Sequence, residues 1–239
     1  MSQDRASAPA AEQEFDAVAA DYANQLEAGL SLTGEDMSYY AGSRARWVAR
    51  RLDQAGHRTR TILDFGCGTG TATTYLLEAT RAERLIGVDV SAESIRIARQ
   101  QFAGPRASFG LIDDGIPDRS VDLAFCNGVF HHIPPDERLA SAAYVYRSLR
   151  GGGLFAFWEN NPWNPGTRIV MRRIAFDRDA ITLTPPQSRS LLVQAGFRVL
   201  RTDFLFVFPS PLRWLRWIEP TIASLPLGGQ YCILCRKPS

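Results

Sequence analysis

ILDFGCGTG, residues Ile62 to Gly70, decides how the rest of the chain is read. An apolar run ends in the carboxylate of Asp64, and glycines follow at alternate positions, Gly66, Gly68 and Gly70. Glycine reaches φ > 0 and has no Cβ, so such a turn lets another molecule come close to the main chain. Thr61 to Phe65 reads as a short buried strand and Thr71 to Ala79 as a helix. A parallel sheet takes its ligands outside the carboxyl ends of its strands. The free N–H groups of the next helix point to the same place.

Downstream the strand–helix alternation continues. Arg84 to Val90 reads as a second strand, and Ser91 is a good N-cap for a helix over Ala92 to Gln101, with Glu93 in its first turn. Ala107 to Ile112 and Val121 to Cys126 read as the third and fourth strands. A helix from Pro135 to about Arg150 is expected to stop at the GGG run, with a fifth strand over Leu154 to Trp158. This pattern argues for an α/β layered fold with a mostly parallel sheet. Upstream, Phe15 to Leu30 and Ser43 to Ala55 read as helices, the second with Trp47, Val48, Leu52 and Ala55 on its apolar face. Arg44, Arg46, Arg50 and Arg51 then read as a solvated face of that helix. Residues 160–185 hold three prolines and read as an elaborated connection. After it come a helix over Pro186 to Ala195 and two apolar strands, Phe197 to Phe208 and Tyr231 to Lys237.

The glycine spacing separates two ligand classes. A dinucleotide asks for G-x-G-x-x-G with its pyrophosphate over the helix start. Here the pattern is G-x-G-x-G, and the carboxylate of Asp64 would repel a pyrophosphate. An ammonium group suits it, which favours an amino-acid nucleoside. Asp89 ends the second strand in LIGVDV, where an acid can accept from both hydroxyls of a ribose. Asp113, after the third strand in FGLIDD, can meet an adenine amino group. Any one of these aspartates also suits an ordinary strand end. Acids after three successive strands, with the glycine loop at the first, are a stronger joint signal.

With these residues the chain resembles the class I S-adenosylmethionine-dependent methyltransferases. ILDFGCGTG is similar to their first motif and LIGVDVS to their second-strand acid, and SVDLAFCNGVFHHI with YRSLRGGGLFAF resembles their fourth and fifth strands. The resemblance implies a doubly wound, Rossmann-like seven-stranded sheet, last strand antiparallel, with helices on both faces. It implies S-adenosylmethionine as cofactor and S-adenosylhomocysteine as product. Gly66, Cys67, Gly68 and Gly70 would line the cofactor, with Asp64 near its amino-acid end. Asp89 and Val90 would sit at the ribose, Ile112 and Asp113 at the adenine, and Asn127 near the methionine portion. The connection IDDGIPDRSVD is shorter than the family's usual one, which leaves Asp113 and Asp114 as alternatives. AVAADYA around Tyr22 resembles a lead helix that closes over the cofactor.

A methyl sulfonium is already an activated electrophile, so alignment of the nucleophile and exclusion of water carry most of the catalysis. A base is needed only if the acceptor must first lose a proton. His131, His132 and Glu159 are the candidates for that role, with Asn160 beside them. No metal is expected, because adjacent histidines in HHIPPDE do not easily converge on one ion from a helix-like turn. WENNPWNPG, residues 158–166, reads either as an acceptor-facing loop or as a capped, proline-stiffened turn. The insert at 209–228 carries Trp214 and Trp217 among Arg213 and Arg216. It reads either as a short helix packing its indoles on the sheet edge or as a greasy lid or peripheral membrane contact.

The expected activity is methyl transfer to a small-molecule acceptor, with oxygen the favoured atom, on a natural product, a sugar or a lipid-linked intermediate. The alternatives are an NAD(P)-dependent oxidoreductase and a non-catalytic cofactor-binding subunit. Composition agrees with an ordinary globular enzyme: 239 residues, 45% hydrophobic and 22% charged. A net charge of +2 gives no ground for a nucleic-acid partner. Cys67, Cys126, Cys232 and Cys235 form no disulfide framework, and the odd spacing of Cys232 and Cys235 points them to opposite faces of a strand. Residues 1–14 lack the apolar core of a signal peptide and read as a disordered lead-in to a cytoplasmic protein. One domain is expected over 15–239, with a helical cap (15–56), a cofactor-binding core (57–160) and acceptor-side inserts (160–185 and 209–229).

Overall fold

The computed structural model describes residues 33–116, 118–174, 177 and 180–239. The helix expected at Phe15 to Leu30, with Tyr22, lies outside them. The sheet strands are β1 (Thr61–Phe65), β2 (Arg84–Asp89), β3 (Ala107–Leu111), β4 (Val121–Asn127), β5 (Leu149–Asn160), β6 (Arg198–Leu205) and β7 (Gln230–Arg236). They form one seven-stranded sheet in the order β3-β2-β1-β4-β5-β7-β6. Pairings among β1 to β5 are parallel, and β7 runs antiparallel to both β5 and β6. The order reverses between β1 and β4, which places a ligand crevice at the carboxyl ends of those strands.

The helices are α1 (Met37–Gln54), α2 (Thr73–Thr80), α3 (Ala92–Phe102), α4 (Arg138–Ser148), α5 (Pro165–Arg173), α6 (Pro185–Gln194) and the short α7 (Glu219–Ile222). Alternate strand residues feed two cores. Ile62, Leu154, Ala156 and Trp158 face α1, α2 and α3, while Leu63, Phe155 and Phe157 face α4 and α6. Cys232 belongs to the first core and Cys235 to the second, as their odd spacing requires. All five residues of β1 are buried, as befits a central parallel strand covered on both faces.

Several boundaries differ from the sequence reading. Helix α1 starts six residues earlier than Ser43, because Asp36 caps it by accepting from the Tyr39 N–H at 2.7 Å. Ala55 lies beyond its end and is exposed. Its arginines are not all solvated. Arg51 is buried and donates to Asp203 on β6 at 2.9 Å, and Arg44 donates to Gln230 at 2.8 Å. Helix α4 ends at Ser148, before the glycines, and the GGG run belongs to β5. There the Gly152 N–H donates to the Lys237 carbonyl, and the Lys237 N–H to the Gly153 carbonyl, both at 2.9 Å. Lys237, the only lysine, gives its ammonium to the carbonyls of Tyr146 and Leu149 at 2.7 Å and so caps the helix end. The stretch read as irregular connection contains α5, capped by Asn164 accepting from the Thr167 N–H at 3.0 Å.

Candidate active site

The glycine turn is held from inside. The N–H groups of Gly66 and Cys67 both donate to the Val88 carbonyl, at 2.8 and 3.0 Å. The Gly68 N–H donates to Asp89 Oδ2 at 2.8 Å, and Asp89 Oδ1 accepts from the Ser91 N–H at 3.0 Å. Asp89 therefore ties the turn to β2. The glycines differ in purpose, although all three have positive φ, at 70°, 52° and 83°. A Cβ on Gly66 would lie 2.3 Å from Val129 Cγ2, and one on Gly70 would lie 2.9 Å from Phe102 Cδ2. A Cβ on Gly68 would meet nothing within 4 Å. Gly68 alone leaves backbone bare toward open space. Gly70, expected to line the ligand, faces α3 instead and does not line the cavity.

The cavity, of about 510 Å³, lies over the carboxyl ends of β1 and β4. Asp64, Gly66, Cys67, Gly68 and Asn127 line it. Asp64 is 2% exposed, and its Oδ2 has no hydrogen-bond partner among the described residues, nor does Asn127 Oδ1. Burial, helped by the nearby charge of Asp89, pushes the Asp64 carboxyl up to about 7. Burial first, and then Asp64 and Asp89, also push the Cys67 thiol well above its ordinary value, so it is no nucleophile. Two buried acceptors with no donor beside bare backbone fit an ammonium group. Asp89 ends β2, and Val90, Ile112 and Asp113 stand just past the ends of β2 and β3; none of the four is in the cavity lining. Of the two alternatives after β3, Asp114 turns back to accept from the Leu111 N–H at 2.9 Å, while Asp113 is exposed.

Beyond Asn127 the chain turns at Gly128 and anchors Phe130 between the rings of Phe65 and Phe157. Glu159 fixes this turn. Its Oε1 accepts from the Phe130 N–H at 2.8 Å and its Oε2 meets His131 Nδ1 at 2.6 Å. Glu159 is 1% exposed and does not line the cavity, so it is a positioning residue and touches no acceptor. His131 Nε2 lies 3.4 Å from Asp177 Oδ1, and His132 Nε2 lies 3.3 Å from the same oxygen. Burial alone would lower the His131 pKa, but the two carboxylates outweigh it and raise it to about 10. With Nδ1 held by Glu159 and Nε2 facing Asp177, His131 is poorly placed to take a proton from an acceptor. The expectation that adjacent histidines cannot converge is overturned. Their ring centroids lie 4.1 Å apart and both reach Asp177.

The remaining walls are apolar and aromatic, with Tyr39, Tyr40, Ile169, Met171, Phe206 and Phe208 among them. Phe206 has φ +64°, uncommon outside glycine, and packs its ring against Tyr40 at 4.8 Å. A polar string crosses the floor: Arg44 Nε donates to Gln230 Oε1 at 2.8 Å, and Gln230 Nε2 to Asn160 Oδ1 at 3.0 Å. Asn160, Asn164 and Gly166 line the cavity, while Asn161 is buried and donates to the Gly228 carbonyl at 2.8 Å. The 3₁₀ segment Ser210–Ile218 does not pack its indoles on the sheet, since Trp214 and Trp217 are 68% and 76% exposed. Asp177, Arg44, Tyr39 and Tyr40 were not singled out as site residues. Asp177 had no readable signal, whereas the Asp36 cap could have brought the two tyrosines into α1.

Comparison with known proteins agrees with this layout. The profile described as "Methyltransferase domain" matches residues 62–153. A trans-aconitate 2-methyltransferase from Azoarcus sp. (strain BH72) is 35% identical over 147 residues, covering 59% of this chain and 56% of that protein. One from Rhodopseudomonas palustris (strain BisB5) is 30% identical over 118 residues, covering 49% and 45%. The chain thus spans about half the length of these curated relatives. Among solved structures, a TehB-like methyltransferase from Corynebacterium glutamicum superimposes with a TM-score of 0.60 at 20% identity, covering 93% of this chain and 99% of that one. A methyltransferase from Mesorhizobium loti gives 0.58 at 19%, covering 81% and 98%. Profile, relatives and strand order agree: residues 62–153 match the methyltransferase domain family, and the chain has the fold of the S-adenosylmethionine-dependent methyltransferases.

Proposed function

We propose that this chain transfers a methyl group from S-adenosylmethionine to an oxygen of a small acceptor. The observation that carries the reading is the unpartnered, buried oxygen of Asp64 beside the open backbone of Gly68. Asp64 and Asn127 would hold the ammonium end of the cofactor, Gly68 its close approach and Asp89 the ribose hydroxyls. Ile112 and Asp113 would flank the adenine, with Val90 at the edge of the ribose. When bound, the cofactor supplies a methyl group already activated on a sulfonium.

The acceptor half is then the space among Tyr39, Tyr40, His132, Asn160, Met171 and Phe206. These residues exclude water and hold the acceptor in line, an effect worth up to roughly 7–11 kcal/mol in favourable cases. The curated relatives are named for trans-aconitate, a carboxylate. A carboxylate arrives ionised and needs no base, which suits a site where Glu159 is sealed off and His131 is committed to carboxylates. Arg44 is the one arginine among the described lining residues, and there is no lysine. That supports an amphipathic acceptor with a single acidic group better than one with several. The exposed Trp214 and Trp217 would let the enzyme meet such a molecule at a membrane surface.

Calorimetry with S-adenosylhomocysteine, followed by a screen of amphipathic carboxylic acids and alcohols for its release from S-adenosylmethionine, tests the reading. Micromolar binding and multiple turnovers are expected. No heat with either nucleoside, together with tight NAD(H) binding, would replace it with an oxidoreductase. Binding without turnover on any acceptor would favour a non-catalytic subunit.

A further inference from the structure

Three potential ligand atoms converge on the acceptor side of the cavity. One ring nitrogen of His131, one of His132 and a carboxylate oxygen of Asp177 all lie within 4.8 Å of one another. The two ring nitrogens stand 3.4 and 3.3 Å from the same Asp177 oxygen. Charge-assisted hydrogen bonds settle at about 2.7–2.9 Å, so these contacts are long. They match the edge of a tetrahedron whose corners lie about 2.0–2.1 Å from its centre, an edge of about 3.3 Å, which is the ligand spacing around a small divalent ion.

The surroundings add two independent observations. A metal-binding histidine is usually oriented by a carboxylate on its other nitrogen. His131 Nδ1 has that partner in Glu159 at 2.6 Å, and Glu159 is itself locked by the Phe130 N–H at 2.8 Å. The arrangement turns Nε2 toward Asp177 and gives the sealed Glu159 a purpose. In addition, His131, His132 and Asp177 all line the cavity, so a fourth position beside them opens on the acceptor space. Three protein ligands with one open position is the layout of a working metal site, as distinct from a closed structural one.

We propose that His131, His132 and Asp177 bind one first-row divalent metal ion, its open position facing the acceptor. Two imidazoles and a carboxylate suit zinc or iron(II), and not magnesium or calcium, which ask for oxygen ligands. An acceptor oxygen in the open position would be fixed in place without help from Arg44. The proposal goes beyond the methyltransferase reading and can be tested without turnover.

The test uses the full chain, stripped with a chelator and titrated with Zn²⁺ by calorimetry and with Co²⁺ by visible absorption. One equivalent is expected, with strong cobalt bands of a four- or five-coordinate site. His132→Gln and Asp177→Asn, each checked for an intact thermal transition, should weaken binding at least tenfold. Glu159→Gln, which removes only the orienting charge, should weaken it about 10–100-fold. His57→Gln should bind normally, because His57 sits elsewhere with Nε2 3.1 Å from the Asp122 carbonyl. No saturable binding by the unaltered chain overturns the proposal. So does unchanged affinity in either His132→Gln or Asp177→Asn, or an equal loss in His57→Gln. S-adenosylhomocysteine titrated into the same metal-free samples reports on the cofactor half alone, so failure of one reading is distinguishable from failure of the other.

Discussion

At the residue scale, Asp64 sets stability against binding. Its carboxyl is raised from 3.8 to about 7 by burial and by Asp89. A folded-state pKa above the unfolded one gives a contribution that is fully present below about pH 3.8 and lost as pH rises through about 7. Asp64→Asn should therefore raise the melting temperature at pH 8 and change it little at pH 4. Binding runs the other way. An ammonium ligand pairs with the ionised form, so affinity for S-adenosylhomocysteine should climb as pH rises toward 7 and level off above it. In Asp64→Asn that climb should disappear, and affinity at pH 8 should fall about 10–100-fold, the scale of one hydrogen bond to a charged group. Calorimetry and thermal scans at three pH values check both halves. Gly68 gives a companion test. Alanine there meets no protein atom but must hold φ +52° and puts a methyl where the ligand would approach. Gly68→Ala should cost about 1 kcal/mol of stability and far more in binding. Gly66→Ala, 2.3 Å from Val129, should fail by unfolding.

At the scale of elements, Asp203 holds α1 to the sheet. Its Oδ2 accepts from Trp47 Nε1 at 3.0 Å and Arg51 Nε at 2.9 Å, and its Oδ1 from Arg201 Nε and Nη2 at 2.9 and 2.6 Å. Asp203→Ala leaves the buried Arg51 without its carboxylate, so denaturant unfolding should show a loss of about 3–5 kcal/mol. Acceptor turnover should fall with it, since Tyr39 and Tyr40 ride on the same helix. This pair also shows where sequence reading stopped. Strands β1 to β4 were legible because each is an apolar run between turn residues, and the Asp64, Gly68 and Asn127 positions followed from strand ends. Arg51 read as solvated because its partner lies 152 residues away and nothing local points to it. The GGG run read as a helix stop, yet it pairs with the backbone at Lys237, which local composition cannot show. Asp177 was silent for the same reason. It stands in a stretch without periodicity, and only the fold brings it to the histidines. Gly70 was misassigned because a glycine that admits a ligand and one that admits Phe102 look alike in sequence.

At the scale of the whole molecule, the cavity gathers residues from Thr33 to Gln230, and the segment after β6 closes one side of it. Arg216 pins that segment by donating to the Phe208 carbonyl at 3.0 Å and to Glu35 at 2.8 Å, with its guanidinium 4.4 Å from the Tyr39 ring centroid. Glu219 adds bonds from the N–H groups of Val207 and Phe208, at 3.1 and 3.0 Å. The segment is thus well fastened on its inner side, while Trp214, Trp217 and Leu212 stay exposed beside Arg213 on the outer one. Among the described residues no helix is long and apolar enough to cross a membrane. Tryptophan and arginine together favour the headgroup layer, the tryptophan for its amphipathic ring and the arginine for anionic lipid. The chain should co-sediment with vesicles containing anionic lipid, and less so as salt is raised. Replacing Trp214 and Trp217 together by serine should abolish co-sedimentation with little change in melting temperature, because exposed side chains contribute within about ±0.5 kcal/mol. Turnover of a water-dissolved acceptor should survive the double substitution, since neither indole lines the cavity. A chain that never co-sediments, at any lipid composition, would leave these indoles as ordinary exposed surface and the acceptor as one met in water.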